Sequence, residues 1–459
     1  MQYRTKPVAS SEPYVLLLRR EWDDAGYQTS FEVCYVEPNT APKSLGVVKI
    51  LQRGATRTVL PDVFEVLTDD YCSWVQSDAY SKQISGLKEQ IGCNLRDDLR
   101  DLMSLDEHER KLFEMEPGFE KSLIRLTSAR YLYSFYFGRL ERKVEVRVVA
   151  VLPGFDAPHD VMLDFDVDHP LRRIAAIVGE NGTGKTQFLD AMARSLAGMS
   201  DARVTSTRPF AQVVVISCNP FDQYMIPTPL VEGSYRYVGP RSQDSIDVRA
   251  IPHDIATWIP EIRSGVANWQ AWNAVLSELG LGHLHGLEGD ALAGEIAKLG
   301  AGYKHACLSF AGMLRHLEIG ALVLFDEPEN HTHPRLLSAM LRAFRATLAL
   351  FDAFGVIATH SPLVLQEFPA SQIRVLRCVD ATFPRFAAFQ EPNFGAPLDE
   401  ILRRAFGVDY GKNNFDIAIR SLVAKIGISK FRELMQGELT LAAEIVLDEI
   451  EEEQKETGE

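Results

Sequence analysis

The sequence predicts an α/β protein with a mostly parallel β-sheet at its centre. Three observations between residues 144 and 396 carry this prediction. Apolar runs of strand length alternate with helical patterns, an order typical of parallel sheets. A glycine-rich loop joins one apolar strand, RIAAIV, to an amphipathic helix, QFLDAMARSL. A second apolar strand, ALVLF, leads directly into two adjacent carboxylates.

The chain divides into three parts, since 459 residues exceed one compact core. Residues 1–143 mix strand and helix patterns, which predicts an α+β domain whose role no motif indicates. Residues 144–396 carry the alternating pattern. Residues 397–459 have apolar residues at helical spacing, so we expect C-terminal helices and an acidic tail.

Strands and helices are predicted in the following order. The expected strands are 14–20, 30–36, 46–51, 130–137, 144–151, 161–167, 173–178, 211–217, 321–325 and 355–361. The expected helical regions are 62–125, 187–196, 254–300, 335–351 and 398–450. The aromatic run RYLYSFYF at 130–137 suits a packed core strand better than a base-stacking surface.

Composition limits the function classes. The formal net charge is −15, and residues 444–459 contribute −7 of it, which leaves −8 for the rest and gives no support to nucleic-acid binding. Six cysteines without a C-x-x-C pair argue against a disulfide framework or a structural zinc site. The polar start and the lack of a bilayer-length apolar run predict a cytoplasmic protein without membrane association.

The glycine-rich loop GENGTGKT fits the phosphate-binding pattern G-x-x-x-x-G-K-[ST] in full. Glycines let backbone N–H groups wrap phosphates, and the helix N-terminus adds a favourable dipole. We expect Lys185 to reach the β- and γ-phosphates of ATP and the Thr186 hydroxyl to bind Mg²⁺. The expected ATP contacts are Gly179, Glu180, Asn181, Gly182, Thr183, Gly184, Lys185, Thr186 and Gln187.

The carboxylate pair after ALVLF has the residue types that such a site requires. Magnesium needs an acid at the end of a neighbouring apolar strand, and Asp326 suits that role. Adjacent residues point in different directions. Glu327 is therefore the candidate for polarising the attacking water, and Pro328 ends the strand.

The histidines that follow admit a second interpretation. His331 and His333, with Glu329 nearby, have the chemistry of transition-metal ligands. No third and fourth ligand stand at supporting spacing, so we favour a role in the loop or in a subunit contact.

Three motifs together resemble ABC-type ATPases of the AAA-like SMC, recombination-F and OLD group, including ATPases of antiphage systems such as Septu and retron-associated modules. They are DEPENHTHP at 326–334, Ala-Thr-His-Ser-Pro at 358–362 and Leu-Ser-Phe-Ala-Gly at 308–312. The resemblance covers about 144–395 and implies an ABC-type P-loop NTPase head. The stretch between loop and third motif holds no long heptad run, so no coiled-coil arm is expected.

The resemblance also implies roles for single residues. His360 matches the γ-phosphate sensor, and Gln223 matches a glutamine near the metal. Ser309 matches the signature serine, which in the family reaches a partner's ATP from a helix N-terminus. Ala311 replaces a glycine of that motif, which predicts slower activation. A homodimer or higher homo-oligomer through the ATP sites is implied.

Three functions follow from this resemblance. The favoured one is an ATP-hydrolysing, Mg²⁺-dependent switch that controls a separate effector, a nuclease or a toxin, in antiphage defence. The alternatives are a DNA repair or recombination ATPase and a slow-hydrolysing ATP-bound scaffold. The 143-residue N-terminal extension argues against a transporter ATPase.

Overall fold

A computed structural model of the chain describes residues 1–21, 25–75, 94–125, 127–199, 202–219, 222, 224–226, 235–240, 249–380, 382–406 and 414–457. No described helix is long and apolar enough to cross a membrane.

The N-terminal part is built on a six-stranded sheet. Its strands are β1 (Gln2–Arg4), β2 (Tyr14–Arg19), β3 (Ser30–Val36), β4 (Lys43–Gln52), β5 (Val63–Phe64) and β6 (Tyr71–Val75). Their order is β5-β1-β2-β3-β4-β6, and only β1 and β2 pair in parallel. Helices α1 (Leu95–Asp98), α2 (Glu107–Glu114), α3 (Thr127–Tyr136) and a π-helical turn (Phe119–Leu123) cover its apolar face.

The predicted core strand at 130–137 is wrong, because this segment belongs to helix α3. Ala129, Leu132 and Tyr133 are buried, and the Trp74 indole donates to the Ala129 carbonyl at 2.9 Å. Phe135 is exposed. The buried residues follow the three- and four-residue spacing of a helix, which the density of aromatic letters conceals. The expected burial in the core holds for Tyr131, Leu132 and Tyr133, but not for Phe135 and Tyr136.

The predicted helical region 62–125 is also largely wrong. It contains β5 and β6, and helix α1 is a single turn that begins at Leu95. Leu99 and Leu102 are buried as the spacing suggested, but α1 ends at Asp98, and the φ of +53° at Arg100 prevents the helix from continuing to Leu102. Residues 76–93 of this prediction lie outside the described residues.

The central sheet has the predicted parallel arrangement. Its strands are β9 (Ile174–Gly179), β11 (Val213–Ser217), β12 (Tyr235–Val238), β13 (Leu322–Asp326), β14 (Phe354–Thr359), β15 (Ile373–Val379) and β16 (Phe383–Ala388). Their order is β12-β11-β13-β14-β9-β15-β16, and only β16 runs antiparallel. A three-stranded antiparallel sheet, ordered β10-β7-β8, packs beside it and contains β7 (Lys143–Ala150), β8 (His159–Asp166) and β10 (Arg203–Ser206).

Both faces of the central sheet are buried. Its helices are α4 (Lys185–Leu196), α5 (Ile251–Ser264), α6 (Val266–Glu278), α7 (Gly289–Lys298), α8 (Ala301–His316), α9 (Pro334–Leu350) and α10 (Pro362–Gln366). Ile174, Ala176 and Val178 of β9 pack in the core with α5 to α10, whereas Ala175 and Ile177 pack with α4 and the three-stranded sheet. Such two-sided burial explains the continuous apolar runs of these strands.

The C-terminal part is helical, as predicted. It consists of α11 (Leu398–Phe406), α12 (Asn414–Ile426), α13 (Ile428–Leu434) and α14 (Leu441–Thr457). Helix α11 packs into the central core through Ile401 and Ala405, while α12, α13 and α14 share a small apolar cluster of their own. The mixed α/β fold with a mostly parallel sheet and C-terminal helices is therefore confirmed.

Candidate active site

The carboxyl ends of four strands bring the predicted site residues to one edge of the central sheet. In the order β11-β13-β14-β9, these strands end at Ser217, Asp326, Thr359 and Gly179. Ser217 is paired with Asp326, and Asp326 with Ala358. Parallel strands present their carboxyl ends on one side of the sheet, where ligands of open α/β sheets bind.

From the sequence we expected the acid at the end of a neighbouring strand. In the structure, the strand that ends in Asp326 does not pair with the strand that leads into the glycine-rich loop. Strand β14 lies between β13 and β9. Two strand spacings, about 10 Å, therefore separate the acid from the loop strand. The inserted strand delivers Thr359 and His360 into this gap, so three strands contribute chemical groups to the site.

The loop after β9 has the backbone that phosphate binding requires. Gly182 and Gly184 have φ of +82° and +88°, in the region that favours glycine. A Cβ at Gly179 would lie 2.9 Å from Thr183 Oγ1 and 2.6 Å from a backbone oxygen of β15. Helix α4 begins at Lys185 without a side-chain cap, so its first N–H groups are available to an anion.

Lys185 lies buried within this loop. Its Nζ donates to the carbonyl oxygens of Gly179 at 2.9 Å and Glu180 at 3.0 Å. Burial lowers the pKa of Lys185, and the carboxylates of Glu327 and Asp326 oppose that shift. A positive charge is thus held inside the glycine turn, with two carbonyl partners that a phosphate oxygen would replace.

The other predicted loop residues differ in exposure. The exposed ones are Glu180, Asn181, Gly182 and Gln187. Thr183 is buried and donates to the Glu180 carbonyl at 2.8 Å. Thr186 is half-buried and close enough to Asp326 for its hydroxyl to lower the pKa of that carboxyl.

Two residues beneath the loop were not predicted. The ring of His159 is fully buried, with Nε2 3.2 Å from the Thr183 carbonyl oxygen. Phe155 packs edge-on against it, with ring centroids 4.6 Å apart. A Cβ at Gly184 would lie 3.0 Å from Phe155 and 3.2 Å from His159. These two rings pack against the loop at Thr183 and Gly184. No sequence motif indicates them.

Asp326 is 2% exposed, and its two oxygens differ in their partners. Oδ2 accepts a hydrogen bond from the Tyr224 hydroxyl at 2.8 Å, whereas Oδ1 has no partner among the described residues. Burial raises the pKa of Asp326 to about 7; the hydroxyls of Thr186 and Tyr224 oppose this shift, and Asp222 and Glu327 add to it. Buried polar atoms nearly always have partners, so Oδ1 is suited to a ligand.

Tyr224 was missed, and its neighbour was predicted instead. Gln223, assigned to the metal from the sequence, lies outside the described residues. Tyr224 is buried, and burial raises the pKa of its hydroxyl, with the Asp326 carboxylate adding to the effect. The hydroxyl therefore stays protonated and orients Asp326 as a donor.

Glu327 has an unusual backbone for its residue type. Its φ is +45°, in the left-handed region, while its N–H donates to the Ala358 carbonyl at 2.9 Å. Strained backbone of this kind is concentrated at functional sites. Glu327 Oε2 accepts from Asn330 Nδ2 at 2.9 Å, and Oε1 lies 3.3 Å from His360 Nδ1. The carboxylate is thereby held on two sides.

His360 follows β14 and is 42% exposed, so its ring is accessible from solvent. Glu329 Oε1 lies 3.4 Å from His360 Nδ1 and accepts a hydrogen bond from the His360 backbone N–H at 2.9 Å. The same oxygen accepts from Thr359 Oγ1 at 2.6 Å. The structure thus brings together Lys185, Glu327 and His360 with the two acids around them.

Ser309 does not join this group. It lies in the middle of α8, which begins at Ala301, and it is 0% exposed. Its hydroxyl is 3.4 Å from Cys218 Sγ. The predicted position at a helix N-terminus is wrong, and a side chain without exposed surface does not contact the nucleotide of a partner. Ala311 is also buried and lies within the same helix.

The two histidines of the motif at 326–334 have separate positions. His333 Nδ1 accepts from the Arg335 backbone N–H at 3.3 Å and caps the first turn of α9. His331 is exposed and has a φ of +61°. Within the described residues, no group of three or more His, Cys, Asp or Glu side chains is arranged to hold a metal ion.

Comparison with known proteins gives distant likenesses. No protein-family profile matches the sequence. Protein ea59 of Escherichia phage lambda is 22% identical over 492 aligned residues, which cover 93% of this chain and 92% of ea59.

Solved structures similar to the chain include ABC-type ATPase domains. The ATP-binding subunit of an ABC transporter has a TM-score of 0.31 and 17% identity, and the match covers 57% of this chain and 93% of that chain. CbiO1 from Clostridium perfringens gives 0.33 and 13%, with 64% and 98% covered. UvrA2 from Deinococcus radiodurans gives 0.30 and 15%, with 51% and 36% covered. Likenesses of this size assign no function to this chain.

Proposed function

We propose that this protein binds ATP with Mg²⁺ and hydrolyses the bond between its β- and γ-phosphates. The observation that carries the proposal is the convergence of the loop 179–186, the partnerless oxygen of Asp326 and the Glu327–His360 pair at one sheet edge. A phosphate loop, a metal ligand and a base beside it are the parts that hydrolysis of a nucleoside triphosphate requires.

The loop would hold the phosphates. Backbone N–H groups at the uncapped start of α4 and the buried Lys185 ammonium offer donors and positive charge to the β- and γ-phosphates. The rings of His159 and Phe155 leave no room for a side chain at Gly184, which keeps the turn close to its ligand. Gln187 and the exposed loop residues then face the nucleotide from the solvent side.

The residues at the end of β13 fit a magnesium ion. Oxygen ligands suit Mg²⁺, and Asp326 offers a buried carboxylate oxygen without a partner, near the Thr186 hydroxyl. When bound, the ion would neutralise charge that develops on the β- and γ-phosphate oxygens. Asp326 and Thr186 would hold it, and Tyr224 would fix the carboxylate that does so.

Glu327 would orient and deprotonate the attacking water. Its Oε2 is held by Asn330, and Oε1 faces the His360 ring. His360 would then contact the γ-phosphate and sense its presence. Proton transfer by a positioned carboxylate contributes about 10²–10⁴-fold to a rate.

Tyr224→Phe tests the support of Asp326. We expect about 10-fold weaker Mg²⁺ affinity, the usual loss when the partner of a metal ligand is removed. The reason is that the hydroxyl that orients Oδ2 is gone while the ring still fills its place. A Mg²⁺ titration of ATP-dependent thermal stabilisation measures this, with Tyr136→Phe in the N-terminal part as the control. Equal Mg²⁺ affinity in the wild type and Tyr224→Phe would contradict the assignment.

A second copy of the chain would complete the site. With Ser309 buried, we propose that the surface facing the partner's nucleotide is the start of α8, at Gly300 and Ala301. Both residues are exposed, and the helix end has no side-chain cap. Its first-turn N–H groups are therefore available to a phosphate, with a favourable dipole.

Gly300→Asp tests this surface. An N-cap aspartate stabilises a helix, and nothing lies within 4 Å of a Cβ at this position. We therefore expect a folded variant whose added negative charge prevents ATP-dependent dimerisation. Mass measurement with ATP in a Glu327→Gln background gives the readout, and Ser309→Ala is expected to dimerise normally. Dimerisation of the Gly300→Asp variant would rule out this surface.

The output of the cycle would be control of a separate effector, a nuclease or a toxin, in antiphage defence. Support comes from the sequence resemblance, and a DNA repair or recombination ATPase fits it as well. A slow-hydrolysing ATP-bound scaffold is a further alternative, although Ala311, the residue that suggested it, is not part of a helix start. Co-purification with mass measurement tests the effector. Turnover stimulated by DNA without a co-purifying protein would favour repair.

Steady-state phosphate release tests the proposed function as a whole. We expect Mg²⁺-dependent turnover in the wild type and none above background in Lys185→Ala, with Lys298→Ala, on the exposed end of α7, as the control. Turnover that survives Lys185→Ala would refute it.

A further inference from the structure

The loop after β13 contacts both side chains proposed to act at the γ-phosphate, Glu327 and His360. Its Glu329 uses a single oxygen, Oε1, for three contacts at the end of β14. Thr359 Oγ1 donates to it at 2.6 Å and the His360 N–H at 2.9 Å, and His360 Nδ1 lies 3.4 Å away. The backbone and ring of His360 are thus both placed by this carboxylate.

Asn330 positions Glu327, as Glu329 positions His360. Its Nδ2 donates to Glu327 Oε2 at 2.9 Å. Its backbone carbonyl oxygen lies 2.7 Å from His305 Nδ1, and since a carbonyl only accepts, this histidine nitrogen must carry the proton. His305 is buried in the second turn of α8. A path of direct contacts therefore joins α8 to Glu327.

The start of α8 packs tightly on the same loop. A Cβ at Gly302 would lie 2.6 Å from the His331 carbonyl oxygen and 3.4 Å from Thr332 Cα. Glu327 and His331 both have positive φ, so the loop conformation depends on the contacts around it. A displacement of the α8 start therefore shifts the loop, and with it both acting side chains.

Burial argues against a purely structural role for Glu329. Its side chain is 9% exposed, and Oε2 has no partner among the described residues. A buried carboxylate with one unsatisfied oxygen is costly to a fold.

We infer that Glu329 and Asn330 are positioning residues for His360 and Glu327, and that His305 couples them to the start of α8. This inference deepens the proposed ATP hydrolysis and rests on it for the identity of the reaction. In the coupled arrangement, contact at the exposed start of α8 aligns the base and the sensor together.

The kinetic test compares Glu329→Ala, Glu329→Gln and Asn330→Ala with Glu295→Ala, a control on α7 outside the site. We expect Glu329→Ala and Asn330→Ala to lower kcat about 10- to 100-fold, as loss of supporting contacts does. ATP affinity should stay within about threefold, because neither residue contacts the loop 179–186. Glu329→Gln should recover most of kcat, since its amide oxygen still accepts from Thr359 and His360.

A spectroscopic test keeps the inference separable from hydrolysis itself. In nucleotide-free protein labelled with ¹³C at the histidine rings, the His360 signal, assigned by its loss in His360→Gln, should move in Glu329→Ala. The His305 signal should move in Asn330→Ala, because loss of the Asn330–Glu327 contact lets the loop shift the backbone carbonyl that His305 contacts. Neither should move in Glu295→Ala.

The outcomes divide cleanly. If the wild type turns over ATP and the kcat of Glu329→Ala is unchanged, the inference is overturned. A parallel loss of kcat, ATP affinity and thermal stability in every variant overturns it as well. A wild type without turnover defeats the proposed function alone, and the ring signals then decide: unmoved signals overturn the positioning role, and moved signals support it.

Discussion

Glu327→Gln is expected to lower phosphate release at least about 100-fold, the lower range for loss of a general base. The amide has the same shape and still accepts from Asn330 Nδ2, so the left-handed backbone and the loop should persist. It does not accept a proton from water at neutral pH. ATP affinity should remain within about threefold of the wild type, because the phosphate loop is unaltered.

The same variant should accumulate as an ATP-bound dimer, since hydrolysis is the step that would release it. Mass measurement with ATP and with ADP gives this readout, and Glu295→Gln, a partly exposed acid on α7 outside the site, is the matched control. Wild-type turnover in Glu327→Gln would remove this residue from the chemistry, and a monomer with bound ATP would remove the dimer from the cycle.

Asp326→Asn is expected to stabilise the nucleotide-free fold while abolishing its response to Mg²⁺. Burial raises the pKa of Asp326 from 3.8 to about 7, so its ionised form is disfavoured in the folded state. At about 1.4 kcal/mol per tenfold change, ionising it costs the fold up to about 4 kcal/mol. An uncharged amide avoids that cost and still accepts from Tyr224.

The sign of this effect depends on pH. Between the unfolded value of 3.8 and the folded value of about 7, the folded state binds more protons, so wild-type stability falls as pH rises through this window. The gain from Asp326→Asn should thus be absent below pH 4 and complete above pH 7. Thermal unfolding at both ends of the window measures it.

Magnesium gives the second half of this prediction. At pH 8 and a fixed ATP concentration, adding Mg²⁺ should raise the unfolding temperature of the wild type further and leave that of Asp326→Asn unchanged, because the ion's carboxylate ligand is missing. Asp69→Asn, an exposed acid in the N-terminal part, should follow the wild type throughout. An Asp326→Asn variant that is less stable at pH 8 than the wild type would disprove the burial argument.

Local sequence patterns predicted the central sheet and the loop well. Apolar runs such as ALVLF are buried on both faces, so their strand character does not depend on distant partners. The loop 179–186 carries its own backbone requirement in its glycines, and Asp326 and Glu327 follow from the strand end that precedes them.

Predictions that depend on tertiary contacts failed or were not made. The letters around Ser309 match a motif, but Leu308 and Phe310 beside it are core residues, and helix α8 begins eight residues earlier. The run at 130–137 has so many aromatic residues that the period of a helix and the period of a strand both fit it. Tyr224 is separated by about a hundred residues from the carboxylate that it binds, and only the sheet order brings them together.

The central claim is that the loop 179–186 and Asp326 form one Mg²⁺–ATP site. Calorimetric titration of ATP, with Mg²⁺ or with a chelator, tests this claim most directly. The titration compares the wild type, Lys185→Ala and Asp326→Asn. We predict saturable binding to the wild type that Mg²⁺ strengthens, loss of binding in Lys185→Ala, and Mg²⁺-independent binding in Asp326→Asn. Equal affinities in all three proteins would contradict the claim.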